Sequence, residues 1–323
     1  MKIIVRLPNA LGDMVMGVAF LSAVRNQYPG SDLHVILSKG LGDIKELLPF
    51  SVVIHEFDKK AHKGLAKLYR FGRKLRQEKF DLLFCLPNSI SASVVCSAVK
   101  AKKSVGFYSP LNFLLFSHAY ARPKGLHRVE EYISLLEKFS QQKTTQGDPK
   151  LVIKSDLPLK KKLVLINFNS EATSRRIPLD KGRALLQEML VAFPTLEFGL
   201  IGAPKEFDYA ERVRKGFEER VTNYAGKTTI YSLARLMKSS ICMLSTDSGP
   251  AHLANALNLP LVVLFGAGDE NNTAPFRKEQ LQVLRLGKLG CEPCVKNTCM
   301  YGSPKCLELL ENKFIINALT KYI

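Results

Sequence analysis

The chain has 323 residues, enough for two ordinary domains, and its 46% hydrophobic content excludes a disordered or low-complexity protein. Its apolar runs are all shorter than the ~20 residues of a membrane-spanning helix, and Arg6 and Asp13 interrupt the N-terminal run that superficially resembles a secretory signal, so a cytoplasmic protein is expected. The formal net charge of +18 points to an anionic partner; up to residue 150, 23 Lys and Arg face 12 Asp and Glu, and beyond it 24 face 17.

Lys2 to Leu7 reads as a buried strand and Leu11 to Gln27 as the helix behind it. Strand patterns follow at Leu33–Leu37, Val52–Phe57, Asp81–Leu86 and Ser104–Phe107, with helical patterns at Leu41–Leu48, His62–Lys79 and Ser89–Lys100. The basic excess is densest around Lys59–Lys79, where nine Lys and Arg, among them Lys60, Lys63 and Lys67, stand against Asp58 and Glu78 alone. Leu65, Leu68, Phe71 and Leu75 recur there at helical spacing, which predicts a basic amphipathic helix. Its outer face is either simply solvated or attracted to an anionic surface, a phosphorylated lipid headgroup or nucleic acid, and charge alone does not choose. The apolar stretch Leu111–Phe116 fits no element, and Arg128–Phe139 reads as a further helix.

From Gln141 to Lys162 the chain turns polar and Lys-rich, with prolines at 149 and 158, as a linker does. The alternation then restarts: strand Leu163–Phe168, helix Asp180–Ala192, strand Glu197–Ile201, helix Lys205–Glu219, a short strand near Val221, helix Ile230–Ser239. Strand Ile241–Leu244, helix Leu253–Leu257 and strand Leu261–Phe265 follow, and Lys305–Tyr322 closes the chain as a helix. Two α/β domains are expected, each a doubly wound parallel sheet: 1–150, 151–304, and a terminal helix at 305–323.

Three places carry chemistry. Asp13 lies just past the first strand, where an open parallel sheet presents its ligand crevice, and it serves there either as a helix N-cap or as a functional carboxylate. Ser174-Arg175-Arg176-Ile177-Pro178 sets two arginines before a proline at a strand-to-helix turn, able to clamp a pyrophosphate bidentately or simply exposed in a loop. Ser245-Thr246-Asp247-Ser248-Gly249-Pro250-Ala251-His252 has the grammar of a helix start, with Asp247 and Ser248 as capping candidates and Pro250 pre-set for the first turn. Such an end either only starts a helix or seats a phosphate on its free amides, with His252 one turn in. Gly226-Lys227-Thr228 mimics the end of a P-loop, but the required upstream Gly would fall at Val221, which excludes an ATPase. Cys291, Cys294, Cys299 and Cys306 cluster near the end; Cys291-Glu292-Pro293-Cys294 has the spacing of half a zinc site, yet the other half is irregular and no metal is expected.

Thr246–His252 followed by Phe265-Gly266, together with Asn9-Ala10-Leu11-Gly12-Asp13, resembles the signature of the ADP-heptose lipopolysaccharide heptosyltransferases, and the likeness runs over most of the chain. The resemblance implies a GT-B fold, two Rossmann-like domains facing a cleft, with the terminal helix crossing back to the first domain. It implies an inverting glycosyltransferase of lipopolysaccharide core biosynthesis that needs no metal or other cofactor. Asp13 matches the family's proposed base, with Asn9 and Gly12 beside it and Lys60, Lys63 and Lys67 on the acceptor side. Ser170 matches a phosphate contact, Glu206 the acid that holds the ribose, and Thr228 the residue beside the adenine, with Thr246, Asp247, Ser248, Gly249 and His252 completing the nucleotide-sugar seat. Arg175 takes the place of a usual Lys and Ile177 that of a usual Trp, while Ala267 stands for Pro in the loop Gly266–Pro275. The partners so implied are a nucleotide sugar, a phosphorylated lipid-linked oligosaccharide and the anionic inner face of the membrane, with no nucleic acid. Two other readings are a nucleotide-sugar epimerase on the same scaffold and a basic nucleic-acid-binding protein; the latter lacks any zinc-finger, RNP or helix-turn-helix signature.

Overall fold

The computed structural model describes residues 1–144, 147–154 and 162–323. Part of the linker expected over Gln141–Lys162, Pro158 included, lies outside the described residues. The chain divides into two compact units, Met1–Lys150 and Leu151–Ile323.

The first unit runs β1 (Lys2–Arg6), α1 (Leu11–Gln27), β2 (Asp32–Ser38), β3 (Val53–Phe57), α2 (Leu65–Leu75), β4 (Leu82–Cys85), α3 (Ile90–Val99), β5 (Lys103–Phe107), β6 (His118–Tyr120) and α4 (Arg128–Ser140). Its sheet is parallel throughout, in the order β3-β2-β1-β4-β5-β6. The chain leaves β1 toward β2 and returns on the other side at β4, so the crevice of an open sheet falls at the ends of β1 and β4. α1 is buried on nearly all sides, as its apolar composition dictates. The basic helix is shorter than expected: Gly64, at φ +97°, sets its start, and it runs only to Leu75 before a 3₁₀ turn. Its buried face, Leu68, Gly72 and Leu75, lies so close to α3 that a Cβ on Gly72 would sit 2.2 Å from the carbonyl oxygen of Val95. The helix expected over Leu41–Leu48 is a 3₁₀ turn, Gly42–Leu47. The three-residue strand β6 carries too little periodicity to be read from sequence.

The second unit repeats the plan with β7 (Leu163–Asn167), α5 (Leu179–Ala192), β8 (Glu197–Leu200), α6 (Phe207–Arg214), β9 (Val221–Asn223), α7 (Ile230–Lys238), β10 (Cys242–Thr246), α8 (Gly249–Ala256), β11 (Leu261–Phe265), α9 (Glu270–Thr273), β12 (Leu281–Arg285), α10 (Lys305–Glu308) and α11 (Asn312–Thr320). The parallel order is β12-β11-β10-β7-β8-β9, which puts its switch point at β7 and β10. α6 stops short of Glu219, and Gly216 just beyond it adopts φ +89°. The single terminal helix expected over Lys305–Tyr322 is two, α10 and α11. The carbonyl of Leu310, freed by the break, accepts from Lys181 Nζ at 2.6 Å. Leu307, Leu310, Ile315, Ala318 and Leu319 join the core of the second unit. Among the described residues no helix is long and apolar enough to cross a membrane.

Candidate functional site

Polar residues cap the ends of β7 and β10 in the second unit. Asn167, the last residue of β7, donates from Nδ2 to the carbonyl of Asn169 at 3.0 Å, Ser245 Oγ at 3.3 Å and Ser248 Oγ at 2.7 Å. Thr246 Oγ1 donates to the carbonyl of Asn169 at 2.7 Å, and Ser170 Oγ to the carbonyl of Asp247 at 3.2 Å. These bonds tie the loop after β7 to the loop after β10. Arg175, in a 3₁₀ turn, pairs with Asp247 across 3.1 Å, and the Asp247 carboxylate is 5% exposed. Gly268 supplies the space this carboxylate fills, since a Cβ there would lie 2.0 Å from Asp247 Oδ2.

Ser248 is the N-cap residue of α8, but its hydroxyl donates to the carbonyl of Thr246 at 3.0 Å and makes no cap bond to the helix. The cap expected of Ser248 is therefore not made, because the Asn167 network engages its hydroxyl instead. What remains is a helix start with partly exposed Ser248, Gly249 and Pro250, the positive end of the dipole and an arginine beside it. His252 lies buried in the first turn of α8.

Glu206 closes the turn after β8, its Oε2 accepting from the amide of Ala203 at 2.7 Å. Gly202 and Gly226 bring this turn against the one after β9: the amide of Gly226 donates to the carbonyl of Gly202 at 2.9 Å, and a Cβ on Gly226 would lie 2.8 Å from Pro204 Cα. Thr228 follows, half-buried, ahead of the Thr229 cap of α7. Ser170, Glu206, Thr228 and the Thr246–Gly249 run thus line one edge of one sheet.

In the first unit Asp13 is the third residue of α1, whose N-cap is Ala10, so it is not the cap. Its carboxylate is 34% exposed and accepts from Arg128 Nη1, at the start of α4, at 3.2 Å. Arg128 also pairs with Glu131 at 2.9 Å, and Glu131 with Arg122 at 2.6 Å. Burial works against the Arg128 charge, but Tyr132, Asp13 and Glu131 outweigh it and raise its pKa. Asn9 is exposed beside β1, accepting from Ser38 Oγ at 2.9 Å, and Gly12 is buried in the first turn of α1.

Lys60 and Lys63 precede α2 and Lys67 lies on it, all exposed, at the margin beyond β3 and apart from Asp13. Asp58 ties down their loop: it accepts from the amides of Lys60 and Ala61 and from Lys39, and these bonds hold its pKa below the usual carboxylate value. The cations at the other end of α2 lie elsewhere, with Arg73, Arg76, Lys79, Lys100 and Lys102 lining a hollow of about 750 Å³ backed by Phe80. It lies where α2 and α3 end, and helix carbonyl ends favour cations. Cys291, Cys294, Cys299 and Cys306 are free thiols, and among the described residues no three His, Cys, Asp or Glu side chains converge as metal ligands.

Sequence reading missed Asn167, Asn169, Arg128 and Glu131. The two asparagines ending an apolar run, Leu163–Phe168, were a visible signal, whereas Arg128 and Glu131 matter only because α4 packs on α1.

The family model for glycosyltransferase family 9 (heptosyltransferase) matches residues 68–304. Lipooligosaccharide heptosyltransferase 2 of Campylobacter jejuni is 24% identical over 99% of both chains, and lipopolysaccharide heptosyltransferase 2 of Escherichia coli 22% over 88% of both. Among solved structures, the E. coli ADP-heptose heptosyltransferase II superposes with a TM-score of 0.85 at 19% identity, covering 100% of this chain and 98% of that one. The E. coli heptosyltransferase WaaC with ADP gives 0.80 at 19% identity, each chain covered fully.

Proposed function

Because this chain belongs to glycosyltransferase family 9, the heptosyltransferases, we propose that it moves heptose from ADP-heptose to a phosphorylated, lipid-linked inner-core acceptor of lipopolysaccharide, with inversion. The observation that carries the donor side is the partly exposed start of α8 beside the Arg175–Asp247 pair at the switch point of the second sheet. A partly exposed helix start, its dipole and a guanidinium are the groups that receive a diphosphate. The buried Nε of Arg175 makes no hydrogen bond within the chain, leaving a donor unused. Relatives named for heptose transfer, and the ADP of the WaaC structure, support the choice of nucleotide and sugar.

Asp13 takes the proton from the attacking acceptor hydroxyl. That oxygen bonds to the anomeric carbon from the face opposite the diphosphate, the bond to the diphosphate oxygen breaks, and ADP leaves. Arg175 and the positive end of α8 meet the charge that develops on the leaving group, so neither a metal nor an acid is required. Glu206 holds the ribose and Thr228 lies beside the adenine. Lys60, Lys63 and Lys67 draw the enzyme and the acceptor phosphates together at the cytoplasmic face of the inner membrane.

Asp13→Ala tests the assignment. It is expected to keep the thermal shift given by ADP and to lose about 10²–10⁴-fold in kcat, the usual contribution of a general base. Undiminished turnover would remove Asp13 from the mechanism.

A further inference from the structure

The stretch Tyr108–Phe116, after β5, matches no role in the transfer reaction. It exposes four large apolar side chains within seven residues: Tyr108 at 47%, Leu111 at 73%, Phe113 at 41% and Leu114 at 83%. The loop itself is firmly built. Asn112, 1% exposed, accepts from the amide of Ser109 at 2.8 Å and donates to Asn88 Oδ1 and Ser93 Oγ, both at 3.1 Å. Phe116 is buried over Gly106, where a Cβ would lie 2.6 Å from its ring. The fold thus spends a buried asparagine and a phenylalanine on holding leucines in water, a costly arrangement for a monomer's surface. The same sheet edge adds exposed Ile90, the first residue of α3, and Leu126 in the loop after β6.

We propose that this loop is a bilayer-insertion element, with Leu111 and Leu114 entering the headgroup–acyl boundary of an anionic phospholipid membrane. Charge selects that occupant. The loops after β4, β5 and β6, which share this sheet edge, contain no Asp or Glu and carry Arg122 and Lys124, so the edge complements anionic lipid. A second copy of the chain would set this cationic face against itself. The inference deepens the reading above, in that a lipid-linked acceptor is reached at a membrane, but its test needs no turnover.

The test is co-sedimentation with phosphatidylglycerol-containing vesicles and with pure phosphatidylcholine vesicles, comparing the wild type with Leu111→Ser/Leu114→Ser. Wild type is expected to favour the anionic vesicles. The double variant is expected to lose at least about tenfold in partitioning, since one buried Leu is worth ~1.5–3 kcal/mol and 1.4 kcal/mol is tenfold. Its thermal midpoint and its ADP-induced shift stay at wild-type values, because both leucines are exposed. Equal partitioning of the two proteins, or no wild-type binding to anionic vesicles, overturns the proposal. So does a wild-type dimer in sedimentation that the double variant dissociates, which would assign the patch to a second copy. Loss of heptose transfer in an otherwise vesicle-binding protein would instead count against the proposed reaction alone.

Discussion

Asp13 does not stand alone: Arg128 aims it, and Glu131 with Arg122 aims Arg128. Arg128→Gln leaves the carboxylate in place but free to rotate, so it is expected to lower kcat by about tenfold or more with a smaller change in donor KM. An equal loss in both would reduce Arg128 to a structural residue. His55 gives a different residue-scale expectation. Its ring stacks on His34, and burial first, then the neighbouring His34, holds its pKa below 6.5. A base so depressed adds stability that is complete above about pH 6.5 and is lost as pH falls through the lower folded-state value. The thermal midpoint should therefore drop on acidification below pH 6.5, and His55→Gln should flatten that drop; an unchanged slope would show that other groups govern it.

At the scale of elements, α2 and α3 meet through Gly72. Any side chain there strikes the backbone of α3, which cannot yield as a flexible side chain can. Gly72→Val is expected to cost ~2 kcal/mol or more by overpacking, read as a fall of roughly 4–8 °C in the thermal midpoint of a unit this size. ADP affinity, which the proposed function assigns to the second unit, should not follow it. The two switch points show the same economy in both sheets: each places its polar residues where two loops diverge, so neither cluster needs residues from a strand's interior.

For the molecule as a whole, donor and acceptor chemistry should separate by salt. Saturating ADP at about 100 Kd adds ~2.7 kcal/mol to stability by mass action, and UDP or GDP should add less if the donor is an adenine nucleotide. If the proposed function holds, raising ionic strength should weaken vesicle or acceptor association, assigned there to exposed lysines, more than ADP binding, assigned to partly buried donors. Equal sensitivity would dissolve that division. Much of this organisation was legible in the residues. Period-two and period-3.6 patterns placed most strands and helices, because an α/β sheet buries its strands wholly and its helices on one face. Thr246–His252 and Asn9–Asp13 marked strand-to-helix turns, because Gly, Pro, Asp and Ser favour such turns and helix starts. The sequence alone also determined the charge and the family likeness, since both are properties of residue order. Only the tertiary structure decided that Asp13 pairs with Arg128, 115 positions away, that Asp247 pairs with Arg175, and that Leu111 and Leu114 face water on a loop held by Asn112. Those are contacts between elements distant in the chain, and periodicity, which reports only near neighbours, carries no trace of them.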